Sequence, residues 1–412
     1  MSSLQYREKR QQFYRKITNF WQDLYGEEYA LYDIATIKNS ELHELRVASD
    51  RMGKIFFKVG NLLRAVPEET LKEMGFPEEA LSFLKLQTLP IESVIARLDL
   101  IKTGSGYKCI EINSDTPTFI KELFAINGLV CNEFQMEDPN DGMAERLANA
   151  VKISINETAK QMKKPKPYIV FTAHEENEED RETVLYLQEL AGLPSRFVPL
   201  HQLEIEKGEG LYDEEGRKID ILYRQTFPIE NLIMDEDEAG NKIGLWLLEL
   251  VELGKLTLIN PPSAFLLQNK AVQAIIWGLH QEHHAFFTDQ EHEWIEEYFL
   301  PTYFEQDYFI QNNLPFVKKP SFGREGDTVE IFKGTGELDL QDAQKSYTDY
   351  VPVYQQYVEL PSINFLSEKG KQSGKLLIGS FLLNGHSAAI GYRVGERITN
   401  NLSYYLPVGL EA

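Results

Sequence analysis

The stretch from residue 93 to 118 constrains this chain more than any other. SVIARLDLI runs or alternates apolar, Gly104-Ser105-Gly106 supplies a turn, and YKCIEIN reads as a second strand, which is a hairpin signature. Alternate residues of a strand share a face. Arg97 and Asp99 therefore point one way on the first strand, and Glu111 and Asn113 point one way on the second. Paired across the hairpin, the four make one polar patch among Val94, Ile95, Leu98, Leu100 and Ile110. Two carboxylates and an amide carbonyl are hard oxygen ligands that suit Mg²⁺, an ion that keeps waters and takes further ligands from phosphates. An arginine beside them would face a transferred phosphoryl group. The plainer alternative is a cross-strand ion pair between Arg97 and Glu111 on a solvated sheet face.

The rest of the chain predicts a mixed α/β (α+β) fold. Phe13, Ile17, Phe20, Trp21 and Leu24 stand at helical spacing and predict an amphipathic helix over 4–25. A second helix follows Ser40 as its N-cap, and PEETLKEMG reads as a short helix with Pro67 in its first turn and Gly75 past its end. These helices are read as scaffold, and the aromatic first one is a candidate docking face for a second copy, a homo-oligomer. PYIVFTAHEENEEDRETVLYLQELAGLPSRFVPL reads as strand, acidic loop, helix, strand, the βαβ unit that builds parallel sheets. GLYDEEGRKIDILYRQ resembles a hairpin feeding a strand, GLWLLELVELGKLTLINPP gives helix then strand, and the C-terminal third is mostly β in character. Boundaries fall near 165 and 256. The expected units are a helical segment 1–92, the hairpin with following helices 93–165, an α/β unit 166–255 and a β-rich region 256–412.

Charge and cysteine content exclude several function classes. The formal net charge is −22 over 412 residues, whereas phosphate neutralisation in nucleic-acid binding needs an excess of Lys and Arg. The same deficit speaks against a basic patch held on anionic lipid. No stretch approaches the ~18–20 apolar residues of a membrane helix. Cys109 and Cys131 are the only cysteines, so neither a disulfide framework nor a thiolate metal cage is expected, and the expected compartment is a reducing cytoplasm.

Further chemistry is spread along the second half. Lys270 follows an apolar strand and opens a helix, and Lys319 ends the strand FVK before Pro320-Ser321-Phe322-Gly323-Arg324-Glu325-Gly326. Such a glycine-containing loop can fold over phosphates, its N–H groups forming an anion nest; no Walker A motif occurs. In YQQYVELP, Glu359 closes an alternation that Pro361 ends, which reads equally as an ordinary sheet strand or as a hinge able to hold adenine and ribose. Arg393 stands between Gly391 and Gly395, glycines that signal close approach or a bulge. The acidic run HEENEEDRE is explained either by a ligand cation or by the macrodipole of a first helical turn. HQEHH (280–284) with His292 is not HExxH and reads as a solvated helix end.

Taken together, RLDLI…YKCIEINSDTPT, INPPSAFLLQNK, VKKPSFGREG, VYQQYVELP and IGYRVGE resemble the synthetase domain of the glutathionylspermidine synthetase family of ATP-grasp carbon–nitrogen ligases. The blocks keep the family order, the Asp99–Glu111–Asn113 spacing agrees with the family pattern, and the N-terminal helices match more weakly. The E-x-N core is also similar to eukaryotic glutathione synthetase. The resemblance implies an ATP-grasp core whose metal-ligand hairpin precedes the nucleotide-binding region 256–412, with a preATP-grasp-like α/β domain at 166–255. It implies Asp99, Glu111 and Asn113 as Mg²⁺ ligands, and Lys270 and Lys319 on the α/β-phosphates. Gly323, Arg324 and Gly326 would form a lid, and Gln356 and Glu359 would lie along the adenosine. Arg97 and Arg393 would stabilise the moving phosphoryl group, Thr116 and Thr118 would lie near the acid substrate, and Glu178 or Glu179 would bind a polyamine.

Two departures matter. Bifunctional members carry an N-terminal Cys/His amidase domain, which this chain is expected to lack. Phe119 stands where those enzymes have a cysteine, leaving glutathione open as the acid. The expected function is an ATP- and Mg²⁺-dependent ligase joining a small-molecule or peptide carboxylate to an amine through an acyl phosphate. The alternative is a catalytically silent ATP-binding regulatory protein.

Overall fold

The structure is a computed structural model that describes residues 2–226, 228–400 and 402–411. Helix α1 (Ser3–Tyr14) is closed by a capping box in which Ser2 and Gln5 exchange hydrogen bonds. It stops well short of residue 25, because its inward face carries a buried cation. Arg10 is 1% exposed, donates from Nε to Ala30 O at 2.7 Å, and pairs with Asp23 at 2.8 Å and Glu368 at 3.1 Å. A buried guanidinium needs fixed acceptors, and meeting that need folds 16–30 back over the helix, with 23–24 and 27–28 pairing as a short antiparallel ribbon. Tyr6, Tyr14 and Trp21 are consequently buried inside this chain, and Phe13, Ile17, Phe20 and Leu24 pack half-buried against the same core.

Helix α2 (Asn39–Ala65) starts two residues earlier than Ser40 as N-cap predicts; Lys38 occupies the N-cap without a side-chain cap bond. Its buried stripe, Leu42, Leu45, Met52, Ile55, Phe56, Val59 and Leu63, follows helical spacing. The short helix Glu68–Glu73 has Pro67 at its N-cap and Gly75 at φ +85°, as its sequence suggests.

The predicted hairpin forms as β1 (Ile95–Thr103) and β2 (Gly106–Asn113), antiparallel, with Arg97 opposite Asn113 and Asp99 opposite Glu111. A bulge follows Asp99 and restores the apolar register beyond it. The βαβ unit forms as well: β3 (Ile169–Ala173), α3 (Glu178–Ala191) and a parallel partner at Arg196–Phe197. Strands β4 (Ile221–Gln225) and β5 (Thr257–Ile259) extend that sheet in parallel, in the order β5-β4-β3-(196–197). Helix α4 (Ala271–Gln281) follows, with Lys270 at its N-cap position.

Strands β6 (Phe316–Pro320), β7 (Glu330–Phe332) and β8 (Pro352–Gln356) form the centre of a five-stranded antiparallel sheet, completed by 302–303 and 338–341. Long strands β9 (Gly370–Leu383) and β10 (His386–Gly395) add to the first hairpin, giving the order (404–406)-β10-β9-β1-β2 with 362–367 on β9. The hairpin thus shares a sheet with strands almost 300 residues later, and Ile95–Ile101 is buried throughout. That burial removes the solvated sheet face of the plainer alternative. The N-terminal segment joins the same body through a short parallel pairing of 35–37 with 408–410. Among the described residues no helix is long and apolar enough to cross a membrane, and Cys109 and Cys131 are buried free thiols.

Candidate active site

Between the six-stranded and five-stranded antiparallel sheets lies a cleft of about 1520 Å³, its solvent-open mouth included. The hairpin lines it with Arg97, Asp99, Glu111 and Asn113, so alternation brings all four to one place as expected. Their pairing differs from the cross-strand alternative. Arg97 grips Asp99 of its own strand with two parallel bonds, Nε–Oδ1 at 2.7 Å and Nη2–Oδ2 at 3.1 Å, and its Nη1 donates to Thr118 O at 2.8 Å. Glu111 instead faces Lys270 Nζ at 3.5 Å. Burial pushes the Glu111 carboxyl up, but Lys270, Lys319 and Arg97 overcome it and hold the group below its ordinary value.

Lys270 bridges the hairpin and the glycine loop, since its Nζ also donates to Gly323 O at 2.8 Å. In that loop Gly326 has φ +74°, and a Cβ there would meet Ile398 at 2.6 Å and the Thr399 carbonyl at 2.7 Å, so only glycine fits. Arg324 reaches down to Thr116 Oγ1 at 2.5 Å. Lys319, 5% exposed, donates to Gln355 Oε1 at 2.7 Å; burial first, then repulsion from Lys270, pulls its ammonium down to about 8. Arg393 completes the cationic wall and is anchored on Asn400 O at 3.0 Å.

Apolar side chains line another part of the cleft. Ile101, Leu360 and Leu377 form a small core of their own with Ile110 and Val358, and Val317 and Ile331 line the same cleft from the opposing sheet. An apolar slot with a few oriented polar groups suits a planar heterocycle. Gln356, Tyr357 and Val358 line the cleft, as do Thr116, Thr118, Gly323 and Glu179. Glu359 and Glu178 are not among its lining residues. Glu359 is exposed and pairs with Lys375 at 2.5 Å, and Glu178 is exposed in the first turn of α3.

The donor set of Asp99, Glu111 and Asn113 fits a Mg²⁺ that completes its shell with waters and phosphate oxygens. It is too sparse for an all-protein cage, and among the described residues no group of three or more His, Cys, Asp or Glu gathers as a metal site. The histidines pack on one another instead: His280 Nδ1 lies 3.2 Å from His292 Nδ1, and His292 is 5% exposed. The cluster is therefore partly interior and not a wholly solvated helix end.

Several residues of the site carry no local signal. Asn260 accepts from Val94 N at 2.9 Å and Ile95 N at 3.1 Å and donates to Asp115 O at 2.7 Å, clamping both ends of the hairpin. Gln273 and Gln355 hold the Ile110 carbonyl beneath Lys319. Leu24, Tyr25 and Tyr29 line the cleft, so the N-terminal segment read as scaffold contributes to the site.

The family described as Glutathionylspermidine synthase preATP-grasp matches residues 1–411. A curated Haemophilus influenzae protein named "Putative acid--amine ligase" is 22% identical over 417 residues, spanning 95% of this chain and 91% of that one. The solved structure of a glutathione synthetase-like effector from Globodera pallida, in apo form, aligns with a TM-score of 0.57 at 11% identity, covering 92% of this chain and 89% of that one. That likeness is one of fold: mixed α/β, with preATP-grasp and ATP-grasp parts. Since the family match runs through almost the entire length, this chain belongs to the glutathionylspermidine synthase preATP-grasp family.

Proposed function

We propose that this protein is an ATP-dependent carboxylate–amine ligase that forms an amide through an acyl phosphate. The observation that carries the reading is the meeting of Arg97, Lys270, Lys319 and Arg393 with Asp99 and Glu111 in one cleft of a protein whose net charge is −22. A cationic pocket in an acidic protein is a specific site for a polyanion. The apolar slot beside it suits adenine, and Gln356 with the backbone of 357–358 borders it. The name of the Haemophilus relative agrees with this chemistry.

In this reading a substrate carboxylate oxygen attacks the γ-phosphorus of ATP, the bond to ADP breaks, and an acyl phosphate results. An amine nitrogen then attacks the acyl carbon, phosphate leaves, and the nitrogen proton departs with it. Lys270 and Lys319 hold the α/β-phosphates, the 323–326 loop covers them, and Arg97 and Arg393 neutralise charge on the moving group. Asp99, Glu111 and Asn113 would hold Mg²⁺, which screens the phosphate charges when bound. Thr116 and Thr118 line the path of the acid.

The test supplies ATP and Mg²⁺ with pooled peptides and polyamines and follows phosphate release. Asp99→Ala or Lys319→Ala should abolish release, and hydroxylamine should trap a hydroxamate. ATP binding without turnover on any acid and amine would favour a regulatory nucleotide-binding protein instead.

A further inference from the structure

One buried carboxylate stands beside the glycine loop without a partner. Glu230 lies in a single turn of helix (Ile229–Leu232) after β4; it is 1% exposed, and neither of its carboxylate oxygens has a hydrogen-bond partner. It makes no ion pair among the described residues. The end of β4 sets its place. Arg224 pairs with Asp115 at 2.5 Å, and Gln225 Nε2 donates to Thr116 O at 3.1 Å and to Pro117 O at 3.3 Å. The segment that carries Glu230 is thus tied to 115–117, and Thr116 is also where the loop arginine is held. Burial raises the Glu230 carboxyl to about 7, and Arg324 pulls on it more strongly than any other charge. Asp115 and Lys270 also act on it, and Tyr347 and Tyr350 feel its charge from the segment after the loop.

Arg324 is the complement of this carboxylate. It lines the cleft, donates one N–H to the neutral Thr116 hydroxyl at 2.5 Å, and makes no ion pair among the described residues. A guanidinium has five donors and bonds best to a carboxylate that takes two of them in parallel. Its present contact lies across the path of the acid, which Thr116 lines in the ligase reading. A buried carboxyl in such a place is costly to ionise until a cation reaches it. The loop itself holds Glu325 at φ +56° and Thr328 at φ +64°. Side-chain-bearing residues rarely adopt that region, so the present course of the loop stores strain that a move can release.

We propose that Glu230 is the latch of the 323–326 loop: when nucleotide draws the loop onto its phosphates, Arg324 leaves Thr116, pairs with the Glu230 carboxylate, and clears Thr116 for the acid. The inference rests on the ligase reading and adds to it a positioning residue that acts through Arg324. No covalent bond between heavy atoms changes. The proton of the neutral Glu230 carboxyl passes to solvent as the ion pair forms.

The experiment binds Mg²⁺ and a non-hydrolysable ATP analogue to the full chain. It follows hydrogen exchange of residues 321–329 by mass spectrometry, and proton release by calorimetry at pH 6 in two buffers. In the wild type the analogue should slow exchange of the loop about tenfold or more. At pH 6 it should release about one proton more from the wild type than from Glu230→Gln. Glu230→Gln should still bind the analogue, which reports a folded chain, but should lose the loop protection. Glu230→Asp keeps a carboxylate and should recover part of it. Arg324→Gln should lose the same protection, and the double variant should lose no more than either single one, as partners in one contact do. Full protection in Glu230→Gln, additive losses, or a wild-type loop that exchanges as fast with the analogue as without it would overturn the latch. Hydroxamate formation from ATP, pooled peptide acids and hydroxylamine checks the ligase reading separately. Loop closure on the analogue with no hydroxamate would overturn that reading alone, and absence of analogue binding would overturn both.

Discussion

Arg97 and Asp99, two residues apart on one strand, form a two-pronged ion pair at 2.7 and 3.1 Å with 5% and 4% of their surfaces exposed. Neither charge has bulk water to fall back on. The pair therefore supports the hairpin as well as the candidate chemistry, because removing one partner of a buried pair leaves the other uncompensated.

Asp99→Ala should accordingly destabilise the protein by about 3 kcal/mol, read from the chemical denaturation midpoint. Asp99→Asn keeps an acceptor for the guanidinium and should lose less. A loss below about 1 kcal/mol for Asp99→Ala would mean that Arg97 is solvated from the cleft.

Nucleotide affinity should fall in mild alkali. The Lys319 ammonium titrates near 8 in the free protein, lowered first by burial and then by Lys270. As pH rises through that value the charge facing the phosphates is lost, and ATP binding should weaken by up to tenfold per pH unit. Lys319→Arg, which stays charged, should remove this dependence. An ATP titration series from pH 7 to 9.5 measures both.

Glu230 should make stability, too, fall with rising pH, over a lower window. It is 1% exposed with neither carboxylate oxygen hydrogen-bonded, and burial raises it from 4.5 to about 7, against the pull of Arg324. The folded state then holds a proton that the unfolded chain has lost. Its contribution is full below about 4.5 and disappears as pH rises through about 7. Glu230→Gln should flatten the stability profile across that window by about 2 kcal/mol, measured by urea denaturation at pH 5 and 7.5.

Gly391→Ala should disturb the site from behind. A Cβ on Gly391 would lie 2.0 Å from Leu123 Cδ2, and Leu123 is 1% exposed in the π-turn that carries Glu122. Overpacking of this kind costs about 2 kcal/mol. The melting temperature should drop accordingly, read by thermal denaturation.

The local periodicities were legible in the residues themselves. Alternation in 95–113 places Arg97, Asp99, Glu111 and Asn113 together, and the strand–helix–strand order of 169–197 gives a parallel sheet. Both follow from side-chain direction along a strand or helix, which depends on near neighbours alone. The family-matching blocks likewise carried Lys270, Lys319, the glycine loop and Arg393 into one cleft.

Only the tertiary structure decided who pairs with whom. Glu111 meets Lys270, not Arg97, because a segment 159 residues away arrives at the hairpin. Helix α1 ends at Tyr14 because Arg10 needs acceptors from 22–30 and from Glu368. Glu359 points to Lys375 and away from the cleft, while Gln355, Asn260 and Tyr29 supply contacts that no pattern announces. A buried charge or polar atom is satisfied by whichever group the fold brings within about 3 Å. That distance is independent of sequence separation, so a chain read residue by residue reveals which charges will be near the site but not the partners that neutralise them.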